Sequence, residues 1–467
     1  MFGHSCSHKS LIEITEKQQE HNVPLKELEM KMSKICLTAA AVSAALVSAS
    51  AMAEGGVDFH GYMRAGAGIS GDNGGMISES KNGVGRLGNE NDAYGEIGLG
   101  KEVWNQDGKS FYLDSMLAGG SESNKLWSGQ NPQIVQFNAQ AKGLIEADAD
   151  AVIWAGKRYY QRHDIHITDF YYWNTSGAGG GIENLSAGPG KLSLAWIRDD
   201  VDVKTTAEEF VFDSKTGTSK KQTVQKTESV NNNIIDVRYA GLGLWENGSL
   251  ELGVNAFIPN ESKSQKDAEL KSENSYMLTA ELTQGDLLGG FNKTVLQYGT
   301  NGSAEQMTTY GAGMGVKAVT NADKGFRIIN WGVIEPAQNI EVGHQLMYAN
   351  TSFKKEQDDH SVYSIVVRPM YKWNDTMRTI VEAGYTAEKN GDLRDGAITS
   401  DYLPNTMTGD KALSKFTVAQ AWSAGSSFWA RPEIRVFASY ITDHENDKAF
   451  GDSKSEYNVG IQAEAWW

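Results

Sequence analysis

From Val57 the chain alternates with a period of two: Val57, Phe59, Gly61, Met63 and Ala65 share one face, and Asp58, His60, Tyr62 and Arg64 the other. Successive side chains of a strand point to opposite faces, so the segment predicts a strand with one apolar and one wet side. The last residues repeat it. Tyr457, Val459, Ile461, Ala463, Ala465 and Trp467 alternate with Glu456, Asn458, Gly460, Gln462, Glu464 and Trp466. Similar dyads recur at Ala93 to Val103, Ile235 to Gly241, Leu250 to Ile258, Tyr276 to Leu282, Tyr363 to Trp373 and Thr379 to Tyr385, with Arg238, Glu251, Arg368 and Glu382 on the polar face. After Ala53 no stretch is long and apolar enough for a membrane helix, whereas alternating strands of about ten residues are what outer-membrane barrels use.

Between the dyads lie Gly-, Ser-, Asn- and Asp-rich segments, Gly71 to Gly83, Asp199 to Asn232 and Asn390 to Asp410, which read as polar outer loops. A soluble sandwich would also alternate. Aromatic strand ends such as Tyr371 and Trp373, and an export segment, favour a transmembrane barrel instead. That segment is Lys31 to Ala53: two lysines, an uncharged run from Ile35, and the small-x-small site Ala51-Met52-Ala53. The domain plan is thus a polar leader or start-site artefact at 1–29, a signal peptide at 30–53 and one barrel domain at 54–467. At about 23 residues per strand and connection, the mature chain holds roughly 18 antiparallel strands.

Composition narrows the function. Of 467 residues, 43 are Lys or Arg and 59 Asp or Glu, a net charge of −16, which argues against nucleic acid as a partner. Both cysteines, Cys6 and Cys36, precede the cleavage site, so the exported chain has no disulfide or thiolate metal chemistry.

The densest chemistry is WAGKRYYQRHDIHITDFYYW, Trp154 to Trp173. No activated Ser or Cys accompanies its His163 and Asp164, and His163 and His166 lack further ligands at a diagnostic spacing. Neither a catalytic group nor a metal site is expected, and no cofactor. A surface loop of mixed charge is the bland alternative.

This stretch resembles the constriction loop of the maltoporins, trimeric sugar-specific porins of Gram-negative outer membranes. VDFHGYMR at Val57, RLGNENDAYGEIGLGKEVW from Arg86, KSFYLD from Lys109, FWARPEIRVFASY from Phe428 and the closing EAWW look like the same family. The resemblance implies an all-β, 18-stranded antiparallel barrel in a homotrimer within outer-membrane lipid, each pore narrowed by an inward-folded third loop. Maltose and maltodextrins would pass by facilitated diffusion along an aromatic ladder of Trp127, Tyr94, Tyr62, Trp466, Trp429 and Phe291. A polar track would face it: Arg64, Arg86, Glu96, Arg162, Asp164, His166, Asp169 and Tyr171. The outer loops are the surface open to phage. Alternation alone already puts Tyr62, Tyr94 and Trp466 on the polar face.

Two departures from the family stand out. The better-known members carry a disulfide in the first loop, which this mature chain cannot form, and Val135 falls where a track arginine is expected. Another glycoside, such as sucrose or a β-glucoside, therefore stays open, as do a general diffusion porin and a secreted carbohydrate-active enzyme.

Overall fold

The computed structural model describes residues 56–122, 129, 131–213, 218–354, 358–391 and 410–467. The leader, signal peptide and cleavage site, Trp127, and most of Asn390 to Asp410 lie outside the described residues.

Alternation is realised as strands β1 (Asp58–Ser70), β2 (Asp92–Gln106), β3 (Lys109–Glu122), β4 (Gln133–Lys142), β5 (Val152–Arg158), β6 (His163–Ile165) and β7 (Phe170–Trp173). Then come β8 (Gly177–Ala187), β9 (Gly190–Arg198), β10 (Val201–Asp213), β11 (Thr218–Trp245), β12 (Gly248–Asn260), β13 (Ser275–Leu287) and β14 (Gly290–Thr300). The rest are β15 (Ala322–Ala337), β16 (Ile340–Phe353), β17 (His360–Lys372), β18 (Met377–Lys389), β19 (Lys411–Ser423), β20 (Glu433–Asp443) and β21 (Ser455–Trp466). Strands β6 and β7 pair only with each other. The remaining nineteen form one sheet, and since β10 pairs only with the outer part of β11, eighteen make the ring. It closes where β1 meets β21, with Tyr62 opposite Trp466 and Arg64 opposite Glu464. Closure leaves no unpaired edge to face lipid, the condition for a strand-built membrane span. Among the described residues no helix is long and apolar enough to cross a membrane.

Side chains sort as the alternation requires. Ile97 (56% exposed) and Ile461 (50%) point outward, while Arg238 and Glu464 (1% each) point in. Two-residue turns join strands at the end where β1 begins and β21 finishes, as at Asp107-Gly108 and Leu288-Gly289, both residues of each having positive φ. Such turns match the twist of paired strands.

The long connections at the other end differ from the polar loops expected. Gly71 to Gly75 are exposed, and residues 76–91 fold into the barrel, with Met76, Val84, Leu87 and Asn89 buried and a helical turn, α1 (Lys81–Val84), on the way. Wall residues supply the polar partners: Glu382 accepts from Leu87 N (3.0 Å), Lys415 Nζ donates to Leu87 O (2.8 Å) and Ser439 to Gly88 O (3.0 Å). This hydrogen-bonded seat holds the first loop without a disulfide. Gly85 (φ +94°) and Gly88 (φ +60°) are required there, because a Cβ would sit 2.3 Å from Glu382 Oε1 or 2.1 Å from Ser439 Oγ. Asp199 to Asn232 is no irregular loop either. Its residues 201–213 and 218–230 pair in register as a hairpin that continues β11, a strand of 28 residues, far beyond the ten or so that a membrane needs.

The third long loop, residues 159–176, turns inward and carries β6, β7 and a turn of 3-10 helix, His166–Thr168. Tyr160, Ile165, Ile167, Phe170, Tyr172 and Trp173 are buried between it and the wall. Three buried wall arginines hold its main chain: Arg238 donates to Gln161 O (2.6 Å), Arg368 to Ile167 O (3.0 Å) and Arg327 to Tyr172 O (3.1 Å). Trp173 Nε1 donates to Asn255 (2.9 Å) and Thr175 to Asp236 (2.6 Å). These bonds tie the loop to the wall at five residues, Gln161, Ile167, Tyr172, Trp173 and Thr175, and give its buried polar groups partners there.

Candidate functional site

Where the third loop faces the β1–β2–β21 wall, it bounds a cavity of about 500 Å³. Its lining is Tyr62, Arg64, Arg86, Tyr94, Glu96, Arg162, Asp164, His166, Asp169, Tyr171, Trp429 and Trp466, all named from the sequence. Of the other two, Trp127 is undescribed. Phe291 faces inward nearer the short-turn end, edge-on to Trp331 with ring centroids 5.3 Å apart, and does not line this cavity.

Each position follows from local structure. Tyr62 and Arg64 are inward positions two apart on β1, and Tyr94 and Glu96 are their counterparts on β2. The Tyr62 and Tyr94 rings lie 6.1 Å apart. On the other side of Tyr62, His166 meets Trp466 at 5.4 Å and Trp429 at 5.7 Å. Trp429 comes from the turn between β19 and β20, and 38% of its surface is exposed.

Ion pairs fix the polar groups. Arg64 forks onto Asp92 (2.9 and 2.6 Å) and reaches Asp169 at 3.4 Å. Arg86 forks onto Glu90 (3.0 and 2.9 Å), contacts Glu464 at 3.1 Å and donates to the Tyr62 hydroxyl at 2.8 Å. The Tyr62 hydroxyl in turn donates to Glu464 at 2.9 Å. Asp169 also takes Lys81 at 2.5 Å. Burial alone would raise the Asp169 carboxyl, but Arg86, Lys81 and Arg64 outweigh it and hold Asp169 below the usual carboxylate range.

Asp164 is the opposite case. Burial pushes its carboxyl up, Arg162 opposing and Asp169 reinforcing, and among the described residues no hydrogen bond holds it. Arg162 has no hydrogen-bonded partner there either; its guanidinium lies over the rings of Tyr159 (3.6 Å) and Tyr171 (4.8 Å). His166 is kept neutral. Burial pushes its imidazole well below the ordinary value, and Arg86 and Arg431 add to this against Glu464. Arg431 donates to His166 Nε2 at 2.9 Å, which makes that nitrogen an acceptor.

Chemically, the cavity offers flat apolar faces beside donors and acceptors, which suits a solute with apolar C–H faces and a hydroxyl rim. Two histidines of the third loop part company: His166 lies in this cavity, and His163 faces Glu281 (2.8 Å) and Glu251 (3.8 Å) on the opposite wall. Val135, where an arginine was expected, is a half-buried residue at the register shift of β4 against β3.

Glu90, Asp92, Arg431 and Glu464 lie inside motifs visible in the sequence, but nothing there gives them a role. Glu464 had a usable signal, sharing a polar face with Trp466. Tyr159, in the same dense stretch, had none.

Comparison with known proteins identifies this architecture. The family model described as LamB porin matches residues 57–467. The chain belongs to the LamB porin family. A maltoporin of Photobacterium profundum is 49% identical over 452 residues, covering 91% of this chain and 97% of that relative. One from Vibrio cholerae is 45% identical over 460 residues, covering 94% of this chain and 100% of the relative. One from Hahella chejuensis is 41% identical over 442 residues, covering 94% and 98%. As a LamB porin, the molecule is a transmembrane β-barrel channel of the outer membrane and not an enzyme.

Proposed function

We propose that the channel passes sugars by facilitated diffusion, with maltose and maltodextrins as its solutes. The ladder comprises Trp127, Tyr94, Tyr62, Trp466, Trp429 and Phe291, and the track Arg64, Arg86, Glu96, Arg162, Asp164, His166, Asp169 and Tyr171. The observation that carries this reading is the cavity in which Tyr62, Tyr94, Trp429 and Trp466 stand beside the arginines and carboxylates of the constriction. A pyranose can lay its face on a ring while its hydroxyls exchange partners along the track, so that none is left unpaired. Conduction needs several weak, similar sites rather than one deep one. The protein functions as a homotrimer in outer-membrane lipid after removal of its signal peptide, and its outer loops are open to phage.

Val135 favours a second reading. The missing arginine removes a donor fork from the track, which loosens the demand for maltodextrins and admits sucrose or a β-glucoside. Purified protein in planar bilayers, titrated with a panel of sugars, tests both. Saturable block strengthening from maltose to longer maltodextrins supports the first; stronger block by sucrose or a β-glucoside supports the second. If no sugar blocks the ion current, the channel is a general diffusion porin.

A further inference from the structure

Tyr159 opens the third loop directly after β5 and does not line the cavity, yet it touches two residues that do. Its hydroxyl donates to Glu96 Oε1 at 3.2 Å, the oxygen that also accepts from Tyr94 at 2.8 Å. With both donors on one oxygen, and none on the other among the described residues, Glu96 Oε2 is left as an open acceptor at the cavity wall. The Arg162 guanidinium lies over the Tyr159 ring, 3.6 Å from Cζ to ring centroid, with the Tyr171 ring farther off at 4.8 Å. Arginine has many rotamers to lose, and no carboxylate hydrogen-bonds this one among the described residues, so stacking is what selects its position. Tyr159 is itself anchored, its main-chain N–H donating to Gln136 Oε1 at 3.0 Å on β4. Burial pushes its phenol up from the ordinary value, which keeps the hydroxyl a donor.

We propose that Tyr159 is a positioning residue for solute binding, its ring aiming Arg162 and its hydroxyl turning the free oxygen of Glu96 toward the pore. The two contributions are separable by substitution. The solute part rests on the reading of the cavity as a sugar site.

The test compares Tyr159→Phe and Tyr159→Leu with the parent channel in planar bilayers, using maltotriose block and the reversal potential in a salt gradient. Y159F keeps the stacked ring and loses one donor to Glu96, so block weakens roughly threefold while the reversal potential stays at the parent value. Y159L releases Arg162 as well, so block weakens roughly tenfold and the reversal potential shifts. Packing alone would not move ion selectivity in one variant and spare it in the other. Parent-like block in Y159F overturns the role of the hydroxyl, and a parent-like reversal potential in Y159L overturns that of the ring. Should Y159L fail to assemble, Tyr159→Trp replaces it: the larger flat face retains Arg162 and an unchanged reversal potential is expected, a shifted one refuting the stacking role. The reversal potential requires no sugar, so a parent channel that no sugar blocks removes the solute reading and still leaves the ring's role decided.

Discussion

Trp466→Ala is the sharpest perturbation of the ladder. The indole stands on the last residue of β21, with the Arg431 guanidinium 4.3 Å from its ring and His166 meeting it at 5.4 Å edge-on. One face is thus taken by protein and another side lines the cavity. A sugar face covering on the order of 50 Å² of ring, at about 25 cal/mol per Å², gains about 1.25 kcal/mol, or roughly eightfold in binding constant. Arg431 does not collapse into the vacated space, because Glu464 (2.9 Å) and His166 (2.9 Å) still hold it. The pore should therefore widen, and the open-channel current stay equal or rise. The assay is maltotriose titration of single-channel current in planar bilayers, with Trp466→Phe recovering most of the lost affinity. Equal sugar affinity in W466A and the parent would show that the indole is packing; a reduced open-channel current would show that the wall had collapsed.

The remaining expectations concern charge, anchoring and assembly. Arg162→Ala should raise the preference for cations and Asp169→Ala lower it, both with weaker sugar block, as read from reversal potentials and titration; shifts of the same sign would refute the assignment. Because the Asp164 carboxyl is raised in the folded protein, it takes up its proton above the ordinary carboxylate range, so cation preference should fall as pH drops into that window, and Asp164→Asn should abolish the step. The stability linked to this group runs with the neutral form, present below its unfolded pKa and lost as pH rises through the raised one. Glu382→Ala leaves Arg368 and Lys415 buried without their shared carboxylate (2.5 and 2.6 Å) and unseats Leu87, so unfolding in detergent should show a loss of roughly 3–5 kcal/mol. Membrane-extracted protein should begin at or near Glu54 and run unheated as a detergent-resistant trimer, with a boiled monomer of about 45 kDa.

Sequence parity carried far in the strands. It put Tyr62, Tyr94 and Trp466 on the wet face because a barrel wall has only two faces, and every inward position inherits its side from its neighbours. It could not carry the loops. Gly71 to Gly83 reads as too polar to pack, yet the connection that it opens turns inward, because Glu382, Lys415, Thr417 and Ser439, roughly 300 or more positions away, satisfy the backbone of Leu87 and Gly88 just beyond it. The hairpin of β10 and β11 was illegible for another reason: Val201, Val203 and Val230, which pack at its base, are separated in the sequence by a long run dominated by charged and polar residues. The third loop is held by Arg327 and Arg368, 155 and 201 positions from the carbonyls they bind. Arg368 stood on the polar face of its dyad, while Arg327 lay in no segment singled out from the sequence, and the purpose of both depends on register.

Those distant anchors bear on how the site works. Arg64, Arg86 and Asp169 are already paired within the protein, so presenting them to a solute requires no rearrangement of charge. Arg162, Asp164 and Oε2 of Glu96 are among the groups left without a hydrogen-bonded partner among the described residues, and all three residues line the cavity. Arg64, Arg86 and Asp169 each lie beside an opposite charge of the protein. A ligand that offered one strong charge would find Arg64, Arg86 and Asp169 already paired. One that offered many hydroxyls and flat apolar faces would find a weak partner at each step, and weak partners in sequence let a solute move on.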